Sequence, residues 1–250
     1  GIHIINLYKT AAKIEEAADA MQKIAASGRK ILFVATKKQA KDIVAEKAAA
    51  ANMPYITERW PGGMLTNFVT IRKAVKKMSN IDNLMSVGTF SILSKRELLQ
   101  VTRQRAKLEK NLGSIADLTR LPSALFIVDV MVENIAVKEA NRLGIPVFGM
   151  VDTNSNPNNI NFAIPANDDA KDSIETILTA VCGAIAEGLE ERKAEKADEK
   201  AAAEQTEEGA EGKKRVRKAR KDETAAPAPA AAPEKEATEA IEVTEAPAAE

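Results

Sequence analysis

The chain has 250 residues, with 36 Lys and Arg, 36 Asp and Glu, a formal net charge of zero and 45% hydrophobic residues. That is enough apolar material for a core and excludes wholesale disorder, while the charge balance, summed over the whole chain, argues against a nucleic-acid-binding protein. A single Cys excludes a disulfide framework and a cysteine-rich zinc site, and no apolar run approaches the roughly 20 residues of a membrane helix.

The opening GIHIINLYKT has no basic start, no long apolar stretch and no small-residue cleavage site, so it is not a signal peptide. Residues 3–7 read as a short opening strand. Residues 9–27 place Ile14, Ala17, Ala18, Met21, Ile24 and Ala25 at helical spacing, closed by Gly28 as a C-terminal cap. Residues 31–35 are an unbroken apolar run, as in a buried strand. Residues 38–51 form an Ala-rich helix and 54–57 a third short strand. Between 57 and 124 the strands stop. There Ile71, Val75, Met78, Ile81 (or Asp82) and Met85 recur at steps of 3 and 4, as do Leu98, Val101, Arg105, Leu108 and Leu112. Two narrow stripes of this kind suit a helix pair with a coiled-coil seam. They predict an antiparallel helical hairpin over about 68–113, turning at 86–94 and protruding from the domain. Strand-like residues 124–129 precede a helix at 132–143, stopped by Gly144 and Pro146. Strands follow at 146–151 and 162–164. Asn167 then caps a final helix, with Asp168 and Asp169 in its first turn and an apolar stripe of Ile174, Ile177, Leu178, Val181 and Ile185. Alternating strands and helices imply an α/β fold: a three-layer, doubly wound parallel sheet carrying a helical hairpin.

Composition changes near Leu189. Residues 190–250 contain no aromatic, and from Val, Ile and Leu only Val216, Ile241 and Val243. Such a segment cannot offset the roughly 1–2 kcal/mol per residue of backbone ordering. It reads as a low-complexity, largely disordered charged tail, whose first part, to about 208, could extend the preceding helix. Dividing the charge there gives the body, 1–189, a net of +5 and the tail −5. Inside the tail, residues 213–221 are a separate basic block, read as a solvated charge run with a weak RNA or protein contact as the alternative. The strongest imbalance lies between 59 and 110, with 11 bases against the acids Asp82, Glu97 and Glu109, a net of +8. A one-sign surface on a projecting hairpin resembles a phosphate-neutralising footprint. Trp60, Phe68 and Phe90 form no regular stacking platform, so contact through phosphate and shape is expected.

The catalytic inventory is thin. His3 is the one His and Cys182 the one Cys, the latter on an apolar helix stripe and read as a buried thiol. Neither has a partner for a nucleophile–base set, and no metal site is expected. Residues 35–39, including Lys37 and Lys38, follow a strand and open a helix, a place that could hold a phosphate. They match neither G-x-x-x-x-G-K-[ST] nor G-x-G-x-x-G. Asp152 and the Asn-rich residues after it read as a turn, with a magnesium or ribose contact as the alternative. Asp168 and Asp169 read as helix-capping acids. A nucleotide-binding enzyme using the Lys37 and Asp152 loops is the competing reading; it lacks a phosphate fingerprint and a base.

Six segments in order resemble one family. The run Arg59-Trp60-Pro61-Gly62-Gly63-Met64-Leu65-Thr66-Asn67 is similar to the R-W-x-G-G-x-L-T-N signature of the small-subunit ribosomal protein S-two family. KILFVATKK (30–38), LPSALFIVD (121–129), AVKEANRLGIPV (136–147), VDTNSNP (151–157) and IPANDDA (164–170) resemble its other motifs. Pro61, Ala35, Ala166 and Ser114 depart from the family pattern without removing a charge. The usual opening segment with G-x-H-F-G-H is missing, as expected if the natural N-terminus is not included, and the tail lies outside the resemblance. The resemblance implies a flavodoxin-like sandwich with a protruding hairpin and a non-enzymatic, cytoplasmic, ribosome-bound bacterial protein without a cofactor. It also implies contact with small-subunit rRNA between head and body, and neighbouring ribosomal proteins that include the mRNA-binding protein S-one. Contact with mRNA would be indirect, with no membrane and no homo-oligomer. An RNA chaperone outside the ribosome is a third reading. The residues expected on rRNA are Lys37, Lys38, Arg59, Arg72, Lys73, Lys76, Lys77, Arg103, Arg105, Lys107 and Lys110, with Trp60, Gly62 and Gly63 shaping the loop before the hairpin.

Overall fold

Five short strands set the architecture, the three central ones buried along their length and the two edge strands partly so. They are β1 (Ile31–Val34), β2 (Tyr55–Ile56), β3 (Ala124–Ile127), β4 (Val147–Val151) and β5 (Phe162–Pro165). All neighbours pair in parallel, in the order β2-β1-β3-β4-β5. The order reverses between β1 and β3, which places a crevice at their carboxyl ends. The computed structural model of the chain describes residues 3–86 and 94–222, with side-chain surroundings to residue 197.

Alternate residues of each strand enter different cores because strand side chains alternate faces. Ile31, Phe33, Phe126, Phe148, Met150 and Ile164 point to one side. There they meet α1 (Leu7–Ala26), α2 (Lys38–Ala50) and the first turns of α6 (Lys171–Asp222). Leu32, Val34, Leu125, Ile127 and Val147 point to the other, against α5 (Asn134–Leu143), Trp60, Met64 and Val75. The expected three-layer, doubly wound arrangement is present. Between β2 and β3 the chain inserts α3 (Phe68–Ser86) and α4 (Lys95–Leu112), which pack on each other. The expected turn at 86–94 falls mostly on 87–93, outside the described residues. α4 opens with a capping box in which Ser94 and Glu97 satisfy each other's backbone N–H.

Several boundaries differ from expectation. The apolar residues 3–7 form no strand: Asn6 accepts a hydrogen bond from the Tyr8 N–H, so α1 starts at Leu7 and Ile4 stays 95% exposed. His3 therefore sits in irregular chain, where an apolar run without a sheet partner has nothing to pair with. Asp168 and Asp169 are not in the first turn of the last helix. Asn167 Oδ1 accepts from the N–H groups of Asp169 and Ala170, and helical residues begin at Lys171 with Asp172 as the first-turn acid. Gly144 caps α5 at φ 67° as expected. The chain divides into two units, Gly1–Asp198, which holds the sheet, and Glu199–Glu250, in which residues to Asp222 are helical. Continuation of helix past Leu189 follows from the Ala, Glu and Lys content, all strong helix formers.

One glycine sets a close helix approach. A Cβ on Gly188 of α6 would collide with the Gln22 carbonyl of α1 and lie 3.2 Å from the Ala25 Cβ. Gly188→Ala should therefore cost about 1–3 kcal/mol in urea unfolding, the range for overpacking. Gly183→Ala, with nothing within 4 Å, should instead gain about 0.5–1 kcal/mol from helix propensity. Equal effects at both positions would contradict the close approach.

Candidate functional site

The crevice at the β1/β3 switch point is where a doubly wound enzyme would take a nucleotide. Here the chain's own carboxylates engage the lysine at its mouth, and a cleft of about 220 Å³ lined by Thr36, Trp60, Val132 and Glu133 among others remains beside it. Lys37, at the N-cap of α2, directs its Nζ to Asp168 Oδ1 at 2.8 Å, Asp169 Oδ1 at 2.6 Å and Asp129 Oδ2 at 3.3 Å. Beside it, the Thr36 hydroxyl donates to the buried Glu133 carboxylate. A phosphate approaching Lys37 would meet three carboxylates already on that ammonium. Lys37 is thus spent inside the protein, while its neighbour Lys38 is exposed.

The electrostatics of this cluster are uneven. Burial alone would lower the Lys37 pKa, but hydrogen bonds to Asp168 and Asp169 outweigh it and hold the ammonium above the ordinary lysine range. Asp168 moves against its partner: burial, reinforced by Asp129 and Asp152, raises its pKa despite Lys37. The geometry decides in favour of a charged Lys37, because three acceptors surround it. The cost falls on Asp168, which is 1% exposed and whose Oδ2 has no hydrogen-bond partner. Burial likewise raises Glu133. Asp152, Asp168 and Asp169 bring ligand-capable atoms within 4.8 Å of one another, which is the donor set a hard divalent cation uses. Cys182, mostly buried, has its thiol pushed up to about 11 by burial, which leaves it protonated and unreactive.

The loop before the hairpin is held from a residue that sequence reading missed. Glu139 lies on the inward face of α5, between Ala136 and Ala140, and is 9% exposed. Its Oε1 accepts from Trp60 Nε1 at 3.2 Å and from the Gly63 N–H at 2.8 Å. Its Oε2 accepts from the N–H groups of Leu65 at 3.0 Å and Thr66 at 3.2 Å, and from the Thr66 hydroxyl at 3.3 Å. Burial would raise the carboxyl, yet the bonds from Gly63, Leu65, Thr66 and Trp60 together bring it below the usual glutamate range. Gly63 adopts φ 83°, a conformation suited to glycine, while Gly62 has open space where a side chain would stand. The available signal was an acid placed on an otherwise apolar Ala/Val stripe, a position that demands buried partners.

The hairpin sorts its bases into two groups. Val75, Met78 and Ile81 of α3 and Leu112 of α4 are buried, with Val101 and Leu108 half-buried on the seam. Arg105 lies on that seam, paired to Asp82 across it and to Glu109 Oε2 at 2.7 Å. Arg72 Nη1 donates to the Leu118 carbonyl at 2.8 Å. Lys110 Nζ meets Glu58 at 3.2 Å, and this contact heads the causes that hold Glu58 below its usual range. In contrast, Lys73, Lys76 and Lys77 are exposed, share one face of α3, and carry no ion pair among the described residues. Arg103 and Lys107 do the same on α4, and Arg59 is exposed beside Trp60. Residues 94–100 are exposed on every side, as in a helix standing clear of the sheet.

The fold and site define a doubly wound α/β protein that carries a basic helical hairpin and whose switch-point lysine is engaged by its own carboxylates. Comparison with known proteins carries this to a family. The ribosomal protein S2 family profile matches residues 1–188, and the chain belongs to that family. It is 73% identical over 222 residues to the small ribosomal subunit protein uS2 of Phocaeicola vulgatus, covering 89% of this chain and 79% of that protein. It is 69% identical over 224 residues to the uS2 of Bacteroides thetaiotaomicron, covering 90% and 80%. Identity is 74% over 196 residues to the uS2 of Flavobacterium johnsoniae, covering 78% and 77%. The chain is therefore a non-enzymatic ribosomal protein of bacterial type. Among the described residues no helix is long and apolar enough to cross a membrane.

Proposed function

We propose that this chain is a structural component of the small ribosomal subunit that binds its rRNA between head and body and supports docking of the mRNA-binding protein S-one. The observation that carries rRNA binding is the set of exposed bases on α3 and α4, Lys73, Lys76, Lys77, Arg103 and Lys107, that carry no ion pair among the described residues. Lys38, Arg59, Lys73, Lys76, Lys77, Arg103 and Lys107 supply the direct phosphate contacts. Lys37, Arg72, Arg105 and Lys110 have internal partners and act by holding the elements that present the others. The sheet domain is the rigid mount, and Glu139 fixes the loop from which α3 departs. Met131, Val132 and Ile135, each 58–59% exposed at the carboxyl end of the sheet, offer the apolar surface a protein partner needs.

Each phosphate neutralised releases counterions, which gives a salt slope of about 0.9 per contact on duplex. Replacing Lys73, Lys76 and Lys77 together by Gln should weaken binding to small-subunit rRNA and reduce that slope by about 2–3. Filter binding between roughly 50 and 200 mM salt measures it; an unchanged slope rejects the assignment.

A further inference from the structure

At the amino-terminal end of the sheet, opposite the Lys37 cluster, the chain forms a groove of about 410 Å³. Its walls come from two distant stretches: Gly28, Arg29 and Lys30, which lead into β1, and the residues from Asp117 to Ser123 that lead into β3. Arg29, Lys30 and Arg120 are all exposed, and none has an ion pair among the described residues. Asp117 is the one acid in the lining. A fourth cation stands at the edge, where a Cβ on Gly28 would collide with the Arg192 guanidinium of α6. We infer that this groove is a second phosphate-binding surface, separate from the exposed faces of α3 and α4, and that its occupant is the sugar–phosphate backbone of rRNA.

The groove is preformed. The Ser123 N–H donates to the Lys30 carbonyl at 2.9 Å, which locks the two walls together, and Lys30 Nζ is anchored on the Asn52 carbonyl at 2.5 Å. A fixed site with exposed cationic tips suits a chain of phosphates, because guanidinium groups meet phosphate oxygens through paired N–H donors. The lining holds no aromatic side chain, so base stacking has no platform and contact falls on the backbone. The groove is also continuous with the base of the hairpin, since Arg72 of α3 bonds the carbonyl of Leu118, itself a lining residue. RNA running along the hairpin base thus meets further cations, with Asp117 the one acid in the lining. In sequence, Arg29 and Arg120 lie 91 residues apart, and only the pairing of β1 with β3 brings them together.

This inference rests on the rRNA-binding reading above, so its test separates the two. In the full-length chain, the double variant R29Q/R120Q is compared with the hairpin triple variant and with R29K/R120K. Salt-dependent binding to naked small-subunit rRNA and hydroxyl-radical footprinting are read for each. R29Q/R120Q should lower the salt slope by about 1–2 and remove backbone protections that the hairpin triple leaves intact, and R29K/R120K should restore both. An unchanged slope and footprint for R29Q/R120Q, with a reduced slope for the hairpin triple, overturns the groove while leaving the hairpin assignment standing. Unchanged slopes for both overturn the rRNA reading and the groove with it. Normal binding to naked rRNA with failed incorporation alongside the other subunit proteins assigns the groove to an acidic protein surface and also overturns the inference.

Discussion

Glu139→Gln should destabilise the protein by about 3 kcal/mol and free the loop that leads into the hairpin. The carboxylate accepts five hydrogen bonds, two on one oxygen and three on the other. An amide keeps one acceptor oxygen and turns the other position into a donor facing N–H groups. At least two buried donors then lose their partner, and each unsatisfied group costs roughly 1–3 kcal/mol. Trp60 is the chain's one Trp, so its fluorescence reads the loop directly: the emission should shift to the red as the 6% exposed indole meets water. The pH dependence follows from the sign of the shift. The Glu139 pKa is lowered in the folded state, so its stabilisation is present above the ordinary glutamate pKa and is lost as pH falls through the folded value. The native protein should lose this contribution on acidification, whereas Glu139→Gln should lack that step. Urea unfolding at a series of pH values between 3 and 7 checks both, and a variant as stable as the native chain with unshifted Trp60 emission would refute the role.

What was legible in the sequence followed from periodicity. Strands apolar on both faces mark a doubly covered sheet, and β1 and β3 show four buried residues each. The seam of α3 and α4 was readable because a two-helix contact repeats at steps of 3 and 4, and Val75, Met78 and Ile81 are buried as that spacing demands. Long-range polar partners were not readable. Nothing near Lys37 in sequence announces Asp129 and Asp168, which arrive on the ends of two other strands, so the lysine looked free for a phosphate. The same blindness hid the pairing of Glu139 with a loop more than 70 residues away. Asp168 and Asp169 looked like capping acids because local position is all a sequence offers; the side chains turn to Lys37 instead. Residues 3–7 looked like a strand because short apolar runs carry no evidence of a pairing partner, and Asn6 supplies a helix cap in its place.

Lys37→Met should cost about 3 kcal/mol at pH 7.5, and much of the loss should be recovered by pH 5. Removing one member of a buried ion pair leaves the other uncompensated, which costs roughly 3–5 kcal/mol. The lower end applies because Asp169 is largely in water, with its side chain 67% exposed, whereas Asp129 and Asp168 are enclosed. In the native protein the folded Lys37 pKa is raised, so its stabilisation is complete below the ordinary lysine pKa and constant from pH 5 to 8. The Asp168 and Glu133 pKa values are raised as well. Their stabilisation is therefore present at acid pH and is lost as pH rises through the folded values, a decline with rising pH. Without Lys37 the chief influence lowering Asp168 disappears, and that decline should steepen. Lys37→Arg, which keeps the charge, should lose less at pH 7.5, and adding Asp168→Asn to Lys37→Met should recover stability by removing the buried charge. If the loss is equal at pH 5 and pH 7.5, the lysine acts through the packing of its methylene stem and the carboxylate cluster is not what it compensates.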